Sequence, residues 1–304
     1  MWEVCGTGST VRLAEKQEAD GMTVTIENGQ LIAKIAEKGA ELQSLQSRDT
    51  SREYIWQADP EYWGKHAPIL FPIVGALKDG RYRYEGQEYE LPRHGFARDR
   101  EFTVIEQTQD SVTLQLVADE ATRTVYPFDF ALNVHYELGG EGLQVRYEVH
   151  NPSQKELFFS IGGHPAFNVP LEDNLTFEDY YLAFSPMKSR IELPLAGNFI
   201  DMSQRTLGAT NTNLRLTHDL FQNDALIYET KGLTSVTIAS EKSPHSVRVA
   251  FNDMAYVGIW TPYPKAAPFL CIEPWAGVAD TTDATGELTE KLGIQKLAPG
   301  ATFR

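Results

Sequence analysis

The chain has 304 residues, of which 42% are hydrophobic and 23% are charged, and its formal net charge is −15 at pH 7. This acidity argues against binding to nucleic acid, whose phosphates require a basic patch, and against binding to anionic membranes. The sequence has neither the ~20 consecutive apolar residues of a membrane helix nor a signal-peptide pattern, and its only cysteines, Cys5 and Cys271, make no disulfide framework, so we expect a cytoplasmic protein.

The first segment of the chain differs from the rest. Residues 1–21 lack apolar–polar alternation and contain a glycine-, serine- and threonine-rich cluster at residues 6–10, whereas a strand pattern begins directly after Met22. We therefore expect residues 1–21 to be a flexible leader or extension, and residues 22–304 to form a single domain.

From residue 22 onward, apolar and polar residues alternate in one short segment after another. The pattern predicts three hairpins, at residues 81–89, 102–117 and 130–149. It predicts further strands at residues 30–36, 225–229, 236–239, 247–251, 256–260 and 269–272. Helical signals are limited to a capped turn at residues 59–63 and a short helix within residues 283–292. Many short strands without β–α–β alternation predict an all-β fold, a large antiparallel β-sandwich with few short helices.

Two histidines and one glutamate stand out as candidates for a site. His164 lies between a glycine pair and a proline, His94 precedes a glycine, and Glu273 follows an apolar strand and precedes a proline. A histidine presented in this way can move protons near neutral pH, and burial would raise the pKa of Glu273 toward that of a general base. The structural alternatives are core histidines bonded to backbone carbonyls and an edge-strand glutamate in a surface salt bridge.

Other side chains extend this candidate site. If residues 94–98 form a strand, His94 and Arg98 share a face and donate hydrogen bonds into one cleft. Trp260 and Trp275 lie beside glycine or proline at strand ends. They are either core residues or a stacking platform for a sugar ring, which has apolar faces and a polar edge.

Metal, nucleophile and cofactor chemistry rank below acid–base chemistry. Two histidines and a carboxylate match a metal facial triad, but separations of 70 and 109 residues (94 to 164, 164 to 273) are not a recognised ligand signature. Nothing in the sequence is arranged to activate Cys271, and no phosphate loop or dinucleotide fingerprint is present. We therefore expect no metal and no cofactor.

Five segments, taken in order, resemble one known family. They are residues 67–75 (APILFPIVG), 91–98 (LPRHGFAR), 163–167 (GHPAF), 224–228 (DALIY) and 273–275 (EPW). Together they resemble the aldose 1-epimerase (galactose mutarotase) family, and most closely its bacterial branch associated with lactose operons. The resemblance implies an isomerase with the galactose mutarotase-like supersandwich fold and a site in a groove across one sheet.

The resemblance also implies roles for individual residues. Glu273 matches the general base and His164 the general acid, while His94 and Asp224 match residues that hydrogen-bond the sugar. The neighbouring carboxylate would then favour the charged form of His164. Arg98 completes, with Trp275, the expected substrate-binding set.

One position departs from the family pattern. Many members carry an arginine just after the Val-Gly step or a few residues on, whereas Ala76 follows Gly75 here. Lys78, Arg81 or Arg98 would have to supply the missing positive charge.

Three functions are consistent with these residues. The first is a mutarotase that acts on a free aldose such as galactose or glucose. The second is a hexose 6-phosphate 1-epimerase, in which Arg98 would hold the phosphate. The third is a carbohydrate-binding sandwich without catalysis, because fold alone does not determine function. All three imply a small-molecule sugar as the partner, and the sequence does not predict an oligomeric state.

Overall fold

The structure is a computed structural model that describes residues 22–140 and 142–304. The expected leader, residues 1–21, lies outside the described residues. Within the described part of the chain, every helix is too short or too polar to cross a membrane.

Over residues 22–140 and 142–304 the secondary structure consists of short strands and very little helix. The strands are β1 (Thr23–Glu27), β2 (Leu31–Ala36), β3 (Leu42–Ser47), β4 (Ile69–Leu70), β5 (Arg81–Tyr84), β6 (Gln87–Glu90), β7 (Thr103–Gln107), β8 (Ser111–Val117), β9 (Ala131–Gly139), β10 (Gly142–His150), β11 (Leu157–Phe159), β12 (Ile161–Gly163), β13 (Ala166–Asn168), β14 (Tyr181–Ser185), β15 (Arg190–Glu192), β16 (Leu195–Ala196), β17 (Phe199–Ile200), β18 (Thr206–Gly208), β19 (Leu214–Arg215), β20 (Leu226–Glu229), β21 (Thr234–Ala239), β22 (Val247–Phe251), β23 (Tyr256–Trp260), β24 (Phe269–Ala276), β25 (Gln295–Leu297) and β26 (Thr302–Phe303). The α-helix is α1 (Glu120–Val125), and the 3-10 helices are Lys78–Gly80, Ala97–Asp99, Phe177–Asp179, Met202–Gln204, His218–Phe221 and Leu288–Glu290.

The strands assemble into several sheets. The largest has the order β18-β15-β20-β23-β24-β12-β4, with β13 also paired to β24. A second sheet has the order β26-β10-β9-β8-β7, and smaller sheets are formed by β1-β2-β3 and by β19-β14-β21-β22. The ladders between the named strands are antiparallel. The fold is therefore all-β and built from antiparallel sheets, as the sequence predicts.

The core forms because alternate residues of the long strands point inward. In β9, Leu132, Val134, Tyr136 and Leu138 are buried while the residues between them are less covered. The buried hydroxyl of Tyr136 donates a hydrogen bond to the carbonyl of Ala40 at 2.7 Å. This contact satisfies a polar group that would otherwise be costly in an apolar environment.

The hairpin predictions are confirmed, and two local predictions change. The strand predicted at 269–272 continues through Ala276, so Glu273 lies within a strand and not at its end. The capped turn predicted at residues 59–63 is present, because the N–H groups of Tyr62 and Trp63 donate to the carbonyl of Asp59, whose side chain accepts from the N–H of Glu61. The predicted strand at 94–98 is wrong, because His94 has a φ of 70° and a 3-10 helix follows it.

Candidate active site

The central strand β24 brings His164 and Glu273 together. β12 and β13 pair with the same side of β24 in one continuous register, and the ladder is interrupted only between them. The flanking pairs are Gly162 with Trp275 and Ala166 with Cys271. His164 lies halfway between Gly162 and Ala166, and Glu273 lies halfway between their partners on β24. His164 therefore faces Glu273 across the two strands. The proline after His164 cannot donate a hydrogen bond to the ladder, which is consistent with the break.

His164 and Glu273 form a buried acid–base pair. Nε2 of His164 lies 3.2 Å from Oε2 of Glu273, and the two side chains are 9% and 2% exposed. Burial lowers the pKa of His164 to about 3 and raises the pKa of Glu273 well above its usual value. Loss of hydration disfavours both charged forms, so in the open cavity a shared proton rests on Glu273. The expectation of a charged His164 is wrong, because burial lowers the pKa of the imidazole more than the neighbouring carboxylate could raise it.

His94 is held in one tautomer by the backbone of Gly75. The Gly75 N–H donates to Nδ1 of His94 at 3.1 Å, and the His94 N–H donates back to the Gly75 carbonyl at 2.9 Å. Because Nδ1 accepts, the proton of the neutral ring is on Nε2. Burial, and then the neighbouring His164, Arg93 and Arg98, lower the pKa of His94 well below its usual value. The ring is a neutral donor, perpendicular to His164 at 5.7 Å between ring centroids.

All six residues expected at the site line one cavity of about 420 Å³. They are His94, Arg98, His164, Asp224, Glu273 and Trp275. The prediction that His94 and Arg98 share a cleft is correct in placement, although its reason, a common strand, is not.

Aromatic side chains build the floor and the walls of this cavity. Trp275 is only 5% exposed, and its ring lies across Gly162 and Gly258, where an added Cβ would fall 2.4 and 2.3 Å from ring atoms. Trp275 is therefore mainly part of the packed floor. Trp63 stacks on His164 at 4.9 Å between centroids, and Trp260 meets the same ring edge-on at 5.7 Å.

Trp63 is a lining residue that the sequence did not identify. It belongs to the turn at residues 59–63, where its N–H donates to the carbonyl of Asp59 at 2.9 Å. Its own carbonyl accepts from Nε1 of Trp56 at 2.9 Å. The only signal in the sequence was a large aromatic residue in a proline-containing turn, outside any strand.

Three charged side chains stand at the polar side of the cavity. Nη2 of Arg93 lies 3.0 Å from Oδ2 of Asp224, and Nη2 of Arg98 donates to the carbonyl of Arg93 at 2.8 Å. Asp224 has a φ of 72°, in a turn closed by a hydrogen bond from its N–H to the carbonyl of Phe221. Arg93 was also missed from the sequence, although it directly precedes His94.

Two of the three candidates for the missing arginine lie elsewhere. Lys78 donates to the carbonyl of Thr282, and Arg81 pairs with Glu88 and Glu90. Neither lines the cavity, whereas Arg98 does. Positive charge at this site is therefore supplied by Arg93 and Arg98.

One group of side chains in the described part of the chain has metal-ligating atoms close together. These are His164, Cys271 and Glu273, whose candidate atoms lie within 4.8 Å of one another. His94 is not part of this group. Burial raises the pKa of the Cys271 thiol and of the Glu273 carboxyl, and both would have to lose their protons before they could ligate a metal.

Comparison with known proteins places this geometry in a family context. The aldose 1-epimerase family profile matches residues 22–293. The plasmid-encoded protein LacX of Lactococcus lactis subsp. lactis is 35% identical over 288 residues, which cover 91% of this chain and 95% of LacX. A galactose mutarotase related enzyme from Lactobacillus acidophilus superposes with a TM-score of 0.91 at 43% identity, covering 93% of this chain and 94% of that one. A galactose mutarotase-like protein from Lactobacillus casei gives 0.86 at 36% identity, covering 93% and 97%.

Proposed function

The chain belongs to the aldose 1-epimerase family, isomerases that act on carbohydrates, and on this basis we propose that it interconverts the α and β anomers of an aldose. In this proposal Glu273 is the base and His164 the acid. The observation that supports it most is the 3.2 Å contact between their side chains on the floor of an open cavity. Optical rotation of freshly dissolved α-galactose and α-glucose tests it, since an active enzyme accelerates the decay and an inactive one leaves the spontaneous rate.

The proposed reaction opens a hemiacetal and closes it on the other face. Glu273 takes the proton of the anomeric hydroxyl, and His164 gives a proton to the ring oxygen as the C1–O5 bond breaks. The bonding electrons pass to the ring oxygen while C1 becomes an aldehyde. Rotation about C1–C2 presents the other face, and the same proton transfers in reverse close the ring. The two oxygens share one carbon, so their acid and base must be neighbours, as these are.

The pair carries one proton throughout this cycle. Before ring opening the proton is on His164, and after it the proton is on Glu273. Burial favours the second arrangement, so a bound sugar must stabilise the imidazolium–carboxylate form. Both arrangements have the same net charge, and the proton moves along an existing contact. Ring opening then proceeds toward the arrangement that the buried site prefers.

The remaining side chains bind and orient the sugar in this proposal. His94 donates from Nε2, Asp224 accepts from sugar hydroxyls, and the aromatic faces of Trp63 and Trp260 cover the apolar C–H faces of the ring. A preorganised donor at the ring oxygen stabilises developing charge without reorganisation. The route requires no cofactor.

The pH dependence of kcat/KM should lack the inflection of an ordinary histidine. The free enzyme needs one proton on the pair, because a second proton removes the base and the loss of the first removes the acid. The pKa of His164 is about 3 and that of Glu273 is raised above 4.5. Polarimetric rates should therefore not fall as the pH drops through 6.5, and they should decline only in more acidic solution, where the second proton binds the pair. An inflection near 6.5 that His164→Asn removes would contradict this assignment.

Hexose 6-phosphate is a second candidate substrate, and one observation favours it. The cavity holds two guanidinium groups, Arg93 and Arg98, against the carboxylate of Asp224. Arginine binds phosphate well because its donors match the geometry of the oxygens. The overall net charge of −15 disfavours long-range attraction of such an anion.

Substitution of Arg98 should separate the two substrates. If phosphate binds here, Arg98→Gln should lower kcat/KM for glucose 6-phosphate by about 10-fold or more, which corresponds to the loss of one charge-assisted contact. The rate with glucose should change much less. Arg81→Gln, which removes an exposed arginine outside the cavity, is the matched control. Equal losses of kcat/KM with both sugars would mean that Arg98 shapes the cavity wall and does not bind phosphate. Binding of a sugar without acceleration of anomer exchange would favour the carbohydrate-binding protein without catalysis.

A further inference from the structure

A buried ion pair lies outside the catalytic cavity. Nζ of Lys291 is 2.8 Å from Oδ1 of Asp280, and the two side chains are 2% and 4% exposed. Removing two charges from water is expensive, so a buried pair is a weak source of stability. The pair instead fixes the geometry of the backbone around it.

The carboxylate of Asp280 holds the backbone that leads to the active site. Its Oδ2 accepts a hydrogen bond from the N–H of Lys78 at 2.9 Å, and the Asp280 N–H donates to the carbonyl of Ala76 at 2.9 Å. On the other side of this segment, Gly75 has a φ of 75°, and an added Cβ would lie 2.5 Å from Cα of Ala279. The segment from Gly75 to Lys78 is thus tied at two points and pressed against residue 279.

Gly75 is also the residue that fixes the ring of His94. Its N–H donates to Nδ1, and its carbonyl accepts from the His94 backbone. The position of one peptide group therefore decides which ring nitrogen of His94 carries the proton. If that group moved away, Nδ1 could take the proton, and Nε2 would face the sugar as an acceptor.

We infer that Asp280 and Lys291 are positioning residues that set the tautomer of His94 through the Gly75–Ala76 backbone. The role in catalysis rests on the proposed function, whereas the effect on the tautomer does not. Lys291 compensates the buried charge of Asp280, Asp280 anchors the segment, and Gly75 transmits its position to the imidazole.

The test uses the full chain with a neutral replacement of the pair. In Asp280→Leu/Lys291→Met both charges disappear together, so neither is left buried alone, and the side-chain acceptor of the Lys78 N–H is removed with them. Nitrogen-15 NMR of the histidine rings should show His94 protonated on Nε2 in the wild type and a mixture of tautomers in the variant. Because a displaced binding group is costly, the variant should lose about 10- to 100-fold in kcat/KM. If this loss arises through His94, adding His94→Gln to the variant should lower kcat/KM little further.

Several readouts separate positioning from mere stabilisation. Glu172→Gln, which breaks the Arg52–Glu172 pair away from the cavity, should leave the His94 signals and kcat/KM unchanged. The inference is overturned if the double variant has a lower melting temperature but keeps both the His94 tautomer and kcat/KM. It is also overturned if the loss of kcat/KM in the double variant and the loss in His94→Gln are fully additive in free energy. Asp280→Ala alone, which also removes the acceptor of the Lys78 N–H, serves the same comparison if the double variant does not fold. If the wild type shows no anomer exchange, the proposed function fails while the NMR comparison still decides this inference.

Discussion

Glu273→Gln is expected to abolish anomer exchange, lowering kcat by about 100-fold to about 10⁴-fold. The amide has the size of the carboxyl group but cannot accept the proton of the anomeric hydroxyl. Optical-rotation decay, with α-galactose and α-glucose at saturating concentration, measures the change. A variant that keeps a rate near that of the wild type would remove Glu273 from the mechanism.

The same variant should retain its fold, and its stability should carry a pH signature. Burial raises the pKa of Glu273 in the folded state, so folding favours the protonated form and loses stability as the pH rises above the unfolded value of about 4.5. An amide imitates the protonated group and avoids that loss. Glu273→Gln should therefore melt at or above the wild-type temperature near pH 7, and the advantage should vanish below about pH 4.5.

Glu192→Gln is the matched control for this experiment. Glu192 lies on β15 of the same sheet, and burial also raises its pKa. It does not line the catalytic cavity. This variant should therefore keep full activity, so a loss seen only with Glu273→Gln belongs to the position in the cavity and not to the removal of any half-buried carboxyl group.

The sequence predicts the pairing of His164 and Glu273 because local signals mark both positions. Glycine and proline around residue 164 indicate a break in a ladder, and an acidic residue in an apolar strand indicates a buried carboxylate. These features depend only on near neighbours in the chain. The antiparallel sandwich is predictable for the same reason, since period-2 alternation is local.

What the sequence does not predict depends on contacts between distant segments. Trp63 reaches His164 from a turn that is remote in the chain, and Arg93 lines the cavity beside His94, whose positive φ the sequence does not reveal. The sequence predicts the wrong pKa direction for His164 because it does not show that the ring of Trp63 stacks on this histidine and helps to bury it. Nothing in the sequence distinguishes Asp280 and Lys291 from ordinary surface charges, because only the fold brings the two side chains together and buries them.

His164→Asn should cause the second large loss, again about 100-fold to about 10⁴-fold in kcat. Asparagine can hydrogen-bond the ring oxygen but cannot deliver a proton to it. His218→Asn is the matched control, because His218 also stacks on an aromatic ring, at 4.1 Å from Phe177, but lies outside the catalytic cavity. That variant should keep its activity, and polarimetry under identical conditions compares the two.

The combination of both substitutions tests whether His164 and Glu273 act as a unit. If one proton passes between them in each cycle, a chain that already lacks the base gains nothing from the acid, so Glu273→Gln/His164→Asn should be about as slow as either single variant. Losses that multiply would mean that the two groups act independently. If His164→Asn stayed active while Glu273→Gln did not, the proton to the ring oxygen would come from another donor. His94 lines the same cavity and carries a proton on Nε2, so it would be the next residue to replace.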